Sequence, residues 1–164
     1  MSAPLHLTLA APTVRDTRGI GTVLGEALRA GDALALAGDL GAGKTTLVQG
    51  IARGLGYEGH VASPTFTLIR EYRARLTLQH VDVYRLERIQ DVVDLGLDDD
   101  PDTVVAIEWG DAVEGLLPID HLTVGLRVVS DDARRIDLSA PTDGTWAARW
   151  DDLRTALAAW EVSA

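Results

Sequence analysis

Apolar residues change their spacing several times along this chain, and each change predicts an element. Ile20, Val23, Leu24, Ala27 and Leu28 recur at helical spacing and stop before Gly31, which reads as the glycine just past a helix end. The run Ala33-Leu34-Ala35-Leu36-Ala37 ends at Gly38 and reads as a buried strand, although five apolar residues alone also fit a helix. Leu47, Val48, Ile51 and Leu55 give a second helix closed by Gly56. From Pro64 onward β-branched and aromatic residues dominate, and residues 65–72 and 76–84 read as a hairpin around a connection at 73–75. Residues 87–95 read as helical, Asp98-Asp99-Asp100-Pro101-Asp102 as a charged loop, and 103–108 as a second buried strand ending in a carboxylate. Leu122, Val124, Leu126 and Val128 alternate with other residues; after a turn at 130–133 the alternation resumes at Ile136 and Leu138, as in a half-buried hairpin. Trp150, Leu153, Leu157 and Trp160 place one apolar stripe on a last helix. The whole predicts an α/β fold around a mixed sheet flanked by helices.

Composition narrows the chemistry more than the fold. With 164 residues, 46% hydrophobic and 24% charged, the chain predicts one compact domain over 1–164. It has no cysteine, which removes disulfides, thiolate metal sites and a cysteine nucleophile. No basic segment followed by an apolar stretch opens the chain, and no apolar run approaches the ~18 residues of a membrane span, so a cytoplasmic setting is expected. A net charge of −10 repels phosphate backbones, so any role on RNA is expected to go through a partner. Of the 15 basic side chains 14 are arginine, and Lys44 is the only lysine.

That lysine lies in Gly38-Asp39-Leu40-Gly41-Ala42-Gly43-Lys44-Thr45, which satisfies the G-x-x-x-x-G-K-[ST] pattern of a phosphate-binding loop between a predicted strand and a predicted helix. Glycines let the backbone approach a polyanion, and the following helix offers unpaired N–H groups and the positive end of its dipole. Lys44 would then neutralise β/γ-phosphate charge and the Thr45 hydroxyl would bind Mg²⁺. The alternative is a ligand-free glycine-rich turn. Guanine is generally read by an N-K-x-D element, and the chain has no asparagine, so exclusion favours ATP.

Phosphoryl transfer also needs an acid for Mg²⁺ and a group that orients the attacking oxygen. Glu108 closes the run Val104-Val105-Ala106-Ile107, where a Walker B acid belongs, and Asp82 lies in His80-Val81-Asp82-Val83-Tyr84-Arg85. Both also fit solvated strand-end acids. These motifs, together with Ser63-Pro64-Thr65-Phe66-Thr67-Leu68, Leu95-Gly96-Leu97-Asp98-Asp99, Ile107-Glu108-Trp109 and Leu117-Pro118, occur in an order that closely resembles the TsaE family. That family comprises bacterial P-loop ATPases of tRNA threonylcarbamoyladenosine biosynthesis. The likeness runs from Thr17-x-x-x-Gly21 to Asp131-Asp132-Ala133-Arg134 and leaves out the last helix with Trp146, Trp150 and Trp160.

The resemblance implies a single P-loop NTPase-like domain that hydrolyses ATP with Mg²⁺ and works with the TsaB and TsaD proteins, meeting tRNA only through that complex and not transferring the modifying group itself. It implies that Gly38, Gly41, Ala42, Gly43, Lys44, Thr45 and Thr46 hold the phosphates, that Thr45 and Glu108 bind Mg²⁺, that Asp82 is needed for hydrolysis, and that Arg134 lies near the nucleotide. Ser63-Pro64-Thr65-Phe66 resembles a switch, and otherwise fits a proline-started strand. His80 reads as packed or hydrogen-bonded, since the four histidines lack metal-site spacing. Trp109 fits core or partner surface equally. Arg70, Arg73, Arg75, Arg85 and Arg88 read as a solvated hairpin face or as a contact for the partner complex. Two other functions share the phosphate loop. A small-molecule kinase would need an acceptor pocket and a lid, and a non-catalytic ATP switch would tolerate loss of Asp82 and Glu108.

Overall fold

The computed structural model describes residues 4–39, 41–62, 69–82, 101–108 and 120–163. Seven strands among them form one sheet: β1 (Leu5–Ala11), β2 (Ala33–Ala37), β3 (Ile69–Arg73), β4 (Thr77–Asp82), β5 (Thr103–Glu108), β6 (Leu122–Val128) and β7 (Arg134–Ala140). Their order is β1-β7-β6-β2-β5-β4-β3. β2 pairs in parallel with both β5 and β6, and β4 pairs in parallel with β5, whereas β1/β7, β6/β7 and β3/β4 are antiparallel. The sheet is therefore mixed, with helices against it, as the alternating patterns predict. β2 ended up as the central buried strand because every side chain of Ala33-Leu34-Ala35-Leu36 is buried, which a strand covered on both faces requires.

Three helices are described: α1 (Val14–Ala27), α2 (Lys44–Gly54) and α3 (Thr145–Ala156). Helix α1 opens on a capping box, in which the Asp16 N–H donates to Thr13 Oγ1 at 3.1 Å and the Thr13 N–H donates to Asp16 Oδ2 at 3.1 Å. Helix α2 closes as predicted at Gly56, in the left-handed region at φ 98°; the Gly56 N–H donates to Arg53 O and the Tyr57 N–H to Ala52 O.

Helices α1 and α2 meet through glycine. A Cβ added at Gly21 or Gly25 would overlap the facing carbonyl of Leu47 or Ile51, and one at Gly50 or Gly54 would overlap that of Arg18 or Thr22. Backbone therefore packs on backbone, and α2, whose first turn follows the phosphate loop, is held by α1 without intervening side chains. Helix propensity alone predicts that Gly50→Ala stabilises by up to about 1 kcal/mol. The packing predicts the opposite sign, a loss of about 1–3 kcal/mol or more. Urea unfolding decides between them.

Several elements differ from the sequence reading. β1 is not anticipated there; its signal is the alternation of Leu5, Leu7 and Leu9 with His6 and Thr8. Helix α1 stops at Ala27, and Gly31 (φ 88°) shapes the turn into β2, its N–H donating to Thr103 O. The helix end is fixed instead by side chains. The Arg75 guanidinium donates to Gly25 O and Leu28 O, so this residue, exposed on the hairpin as expected, also caps a helix. Asp32 Oδ2 accepts from the Arg29 N–H at 2.7 Å. The hairpin connection falls at 74–76, one residue later than expected. Trp160 does not continue the stripe of α3; it lies on the 3₁₀ turn Ala158–Trp160, and its indole N–H donates to Asp16 Oδ1 at 3.0 Å. That bond, with the Thr13 hydroxyl, holds the Asp16 carboxyl below its ordinary pKa. The predicted helix at 87–95, the charged loop at 98–100, the 63–66 motif, Arg85, Arg88, Trp109 and Leu117-Pro118 lie outside the described residues.

At the end of the sheet remote from the phosphate loop, Arg149 of α3 and Asp32 form a buried two-pronged ion pair. The distances are 2.8 Å from Nη1 to Oδ2 and 2.8 Å from Nη2 to Oδ1. The guanidinium stacks over the Trp146 ring, 3.8 Å from its centroid.

Candidate active site

Parallel pairing brings the candidate residues together. β2, β5 and β4 run in the same direction side by side, so their C-terminal ends share one edge, where open α/β sheets bind ligands. The phosphate loop leaves the end of β2. Glu108, the last residue of β5, is in register with Leu36 on one side and with Asp82, the last residue of β4, on the other.

The loop has the geometry that its glycines predict. Gly38, at φ 153°, passes so close to β6 that an added Cβ would lie 2.9 Å from Leu126 O. Gly43, the residue before α2, is left-handed at φ 102° and turns the chain into the helix without a side-chain cap. The N–H groups of the first helical turn have no partner within the helix, and Thr45 and Thr46 lie in that turn. The Ala42 N–H is used within the loop, donating to Asp39 O at 2.9 Å. Such a cradle of amides at a helix start can hold a polyphosphate.

Lys44 is 7% exposed, and its Nζ donates to Gly38 O at 2.6 Å. Burial pushes its pKa below the ordinary lysine value, against the pull of the Glu108, Asp82 and Asp39 carboxylates. A phosphate group beside Nζ would favour the charged form in the same way as those acids do.

Glu108 is 4% exposed and His80 is fully buried; Nε2 of His80 and Oε1 of Glu108 are 3.1 Å apart. Sequence reasoning places His80 in a packed or hydrogen-bonded setting but misses this partner, which lies diagonally across two strands. Thr45, Glu108 and Asp82 offer a hydroxyl and two carboxylates. These hard oxygen donors suit Mg²⁺, which takes one or two carboxylates and completes its shell with phosphate oxygens and water. Among the described residues no group of three or more His, Cys, Asp or Glu forms a self-sufficient metal cage.

Arg134 opens β7 and reaches the loop, where its contacts are with carbonyl oxygens. Nε donates to Ala42 O at 2.9 Å and Nη2 to Gly41 O at 3.3 Å, while Nη1 serves Ser130 O, Asp131 O and Ala133 O. Of five N–H groups, one on Nη2 is left over for a ligand. Because every described peptide bond is trans, an Ala42 carbonyl aimed at Arg134 turns the Gly43 N–H to the opposite side.

Residues 11–136 match the sequence model of the family described as "Threonylcarbamoyl adenosine biosynthesis protein TsaE". The chain belongs to the TsaE family. A relative named tRNA threonylcarbamoyladenosine biosynthesis protein TsaE, from Treponema pallidum (strain Nichols), is 43% identical over 129 residues, covering 77% of this chain and 96% of the relative. One of the same name from Mycobacterium tuberculosis (strain ATCC 25618 / H37Rv) is 44% identical over 140 residues, covering 79% and 83%. The crystal structure of Bacillus subtilis YdiB superposes with a TM-score of 0.75 at 31% identity, over 97% of this chain and 98% of that one. The TsaE match contains every loop residue, both carboxylates and Arg134, and stops before α3. Membership places the chain among proteins of tRNA threonylcarbamoyladenosine biosynthesis, a tRNA modification. Among the described residues no helix is long and apolar enough to cross a membrane.

Proposed function

We propose that this chain is a Mg²⁺-dependent, ATP-binding and ATP-hydrolysing subunit of tRNA threonylcarbamoyladenosine modification. It acts in the cytoplasm with the TsaB and TsaD proteins, does not itself transfer the modifying group, and meets tRNA through that complex. The observation that carries the reading is the placement of Glu108 and Asp82, in register at the C-terminal ends of adjacent parallel strands, beside the glycine-shaped loop that leads into the buried Lys44 at the start of α2. Loop amides and the first turn of α2 grip the phosphates, and Lys44 offsets the charge that develops on them. Thr45 and Glu108 would hold Mg²⁺, which would supply charge neutralisation for the phosphates. Asp82, next to Glu108 in the register, orients the attacking water. A net charge of −10 fits a subunit that reaches tRNA through partners.

The only lysine gives a direct test of the site. A lysine-directed acylating reagent followed by mass measurement reports Lys44 plus the amino terminus. Mg·ATP should protect Lys44 and Mg·GTP much less. Labelling that is unchanged by saturating Mg·ATP rejects the assignment.

A further inference from the structure

We propose that His80 is a positioning residue for Glu108: it fixes Oε1 and so leaves Oε2 as the oxygen presented to Mg²⁺. This rests on the nucleotide reading above. His80 stands two residues before Asp82 on β4, on the same face, opposite Ala106 in the register. Alanine leaves room for the imidazole to reach along β5 to Glu108, two residues further on. Both partners are buried, so water does not compete for the bond.

The direction of the bond follows from chemistry. An ionised carboxylate only accepts, so Nε2 must carry the proton that it donates to Oε1. In the neutral ring Nδ1 is then an acceptor, and it has no partner among the described residues. A core histidine kept for packing would gain from bonding at both nitrogens; this one is bonded only at the carboxylate. A buried glutamate with a fixed Oε1 has one remaining orientation, and it is the acid in register with Asp82 at the strand ends beside the loop. Ligands of metals are commonly held in this way by a further hydrogen-bonding shell, whose loss weakens metal binding 10–100-fold.

The test is a Mg²⁺ titration of nucleotide binding, read by calorimetry on the full chain, with a parallel ATP titration in EDTA. His80→Leu should need 10–100-fold more Mg²⁺ than wild type to reach half-maximal enhancement, with the metal-free ATP affinity unchanged. His80→Gln, whose side-chain N–H can still reach Oε1, should recover most of the loss. If His80→Leu does not fold, His80→Phe, which fills the ring's space without an N–H for Oε1, takes its place beside the Gln variant. His80→Gln should then titrate near wild type and His80→Phe should not. Coincident Mg²⁺ curves for wild type and His80→Leu overturn the inference and leave the nucleotide reading standing. Equal weakening of metal-free and metal-dependent binding also overturns it, because that is the signature of a general packing defect. A wild-type chain that binds ATP with no Mg²⁺ enhancement at all overturns the underlying reading instead.

Discussion

Asp82→Ala should bind Mg·ATP about as well as wild type while ATP turnover by the complete assembly with the TsaB and TsaD proteins falls by about 10²–10⁴-fold. The separation follows from where the residue sits. Asp82 ends β4, one strand further from the loop than Glu108, so it contributes no part of the phosphate cradle. Under the proposed mechanism its loss removes the group that orients water and spares the amides and Lys44 assigned to the nucleotide. The isolated chain should turn over slowly in either form, because four of the five Arg134 N–H groups are already engaged with carbonyl oxygens. Turnover by the Asp82→Ala assembly within tenfold of wild type rejects the role. Simultaneous loss of Mg·ATP binding moves Asp82 into the binding set.

Asp32→Ala should lower unfolding stability by about 3–5 kcal/mol, because it strands a buried guanidinium. Asp32 and Arg149 are 9% and 6% exposed, and their two-pronged pair lies beneath α3. For a domain of this size the loss corresponds to a fall of roughly 6–20 °C in Tm. The control is the double variant Asp32→Ala/Arg149→Met, which removes the charge as well and should recover much of the loss. A single variant within 1 kcal/mol of wild type contradicts this account, as does a double variant whose loss equals the sum of the two singles. Asp32 precedes β2 and the phosphate loop follows it, so nucleotide binding below the melting range should survive the substitution.

The phosphate loop is legible in the sequence because its chemistry is local: a run of eight residues carries the glycines, the ammonium and the hydroxyl together. Glu108 and Asp82 are legible as acids ending apolar strands, but their adjacency is not. Twenty-six positions separate them, and only the parallel register of β4 with β5 makes them neighbours. His80 needs one step more, a diagonal contact that no spacing along either strand announces. The glycine contact between α1 and α2 was hidden for a different reason. Gly21, Gly25, Gly50 and Gly54 read as poor helix formers in isolation, and their value is visible only once two helices face each other. Arg75 shows the same limit in reverse, since a charged residue on a polar hairpin gives no sign that it closes a distant helix.

Arg134 carries one further consequence. Its bonds to Gly41 and Ala42 set the peptide planes of the loop as part of folding itself. On the proposed reading a triphosphate would meet donors already aimed, with less chain entropy to lose on association. The same guanidinium also bonds the bend at Ser130 and Asp131, so one side chain ties that bend to the cradle.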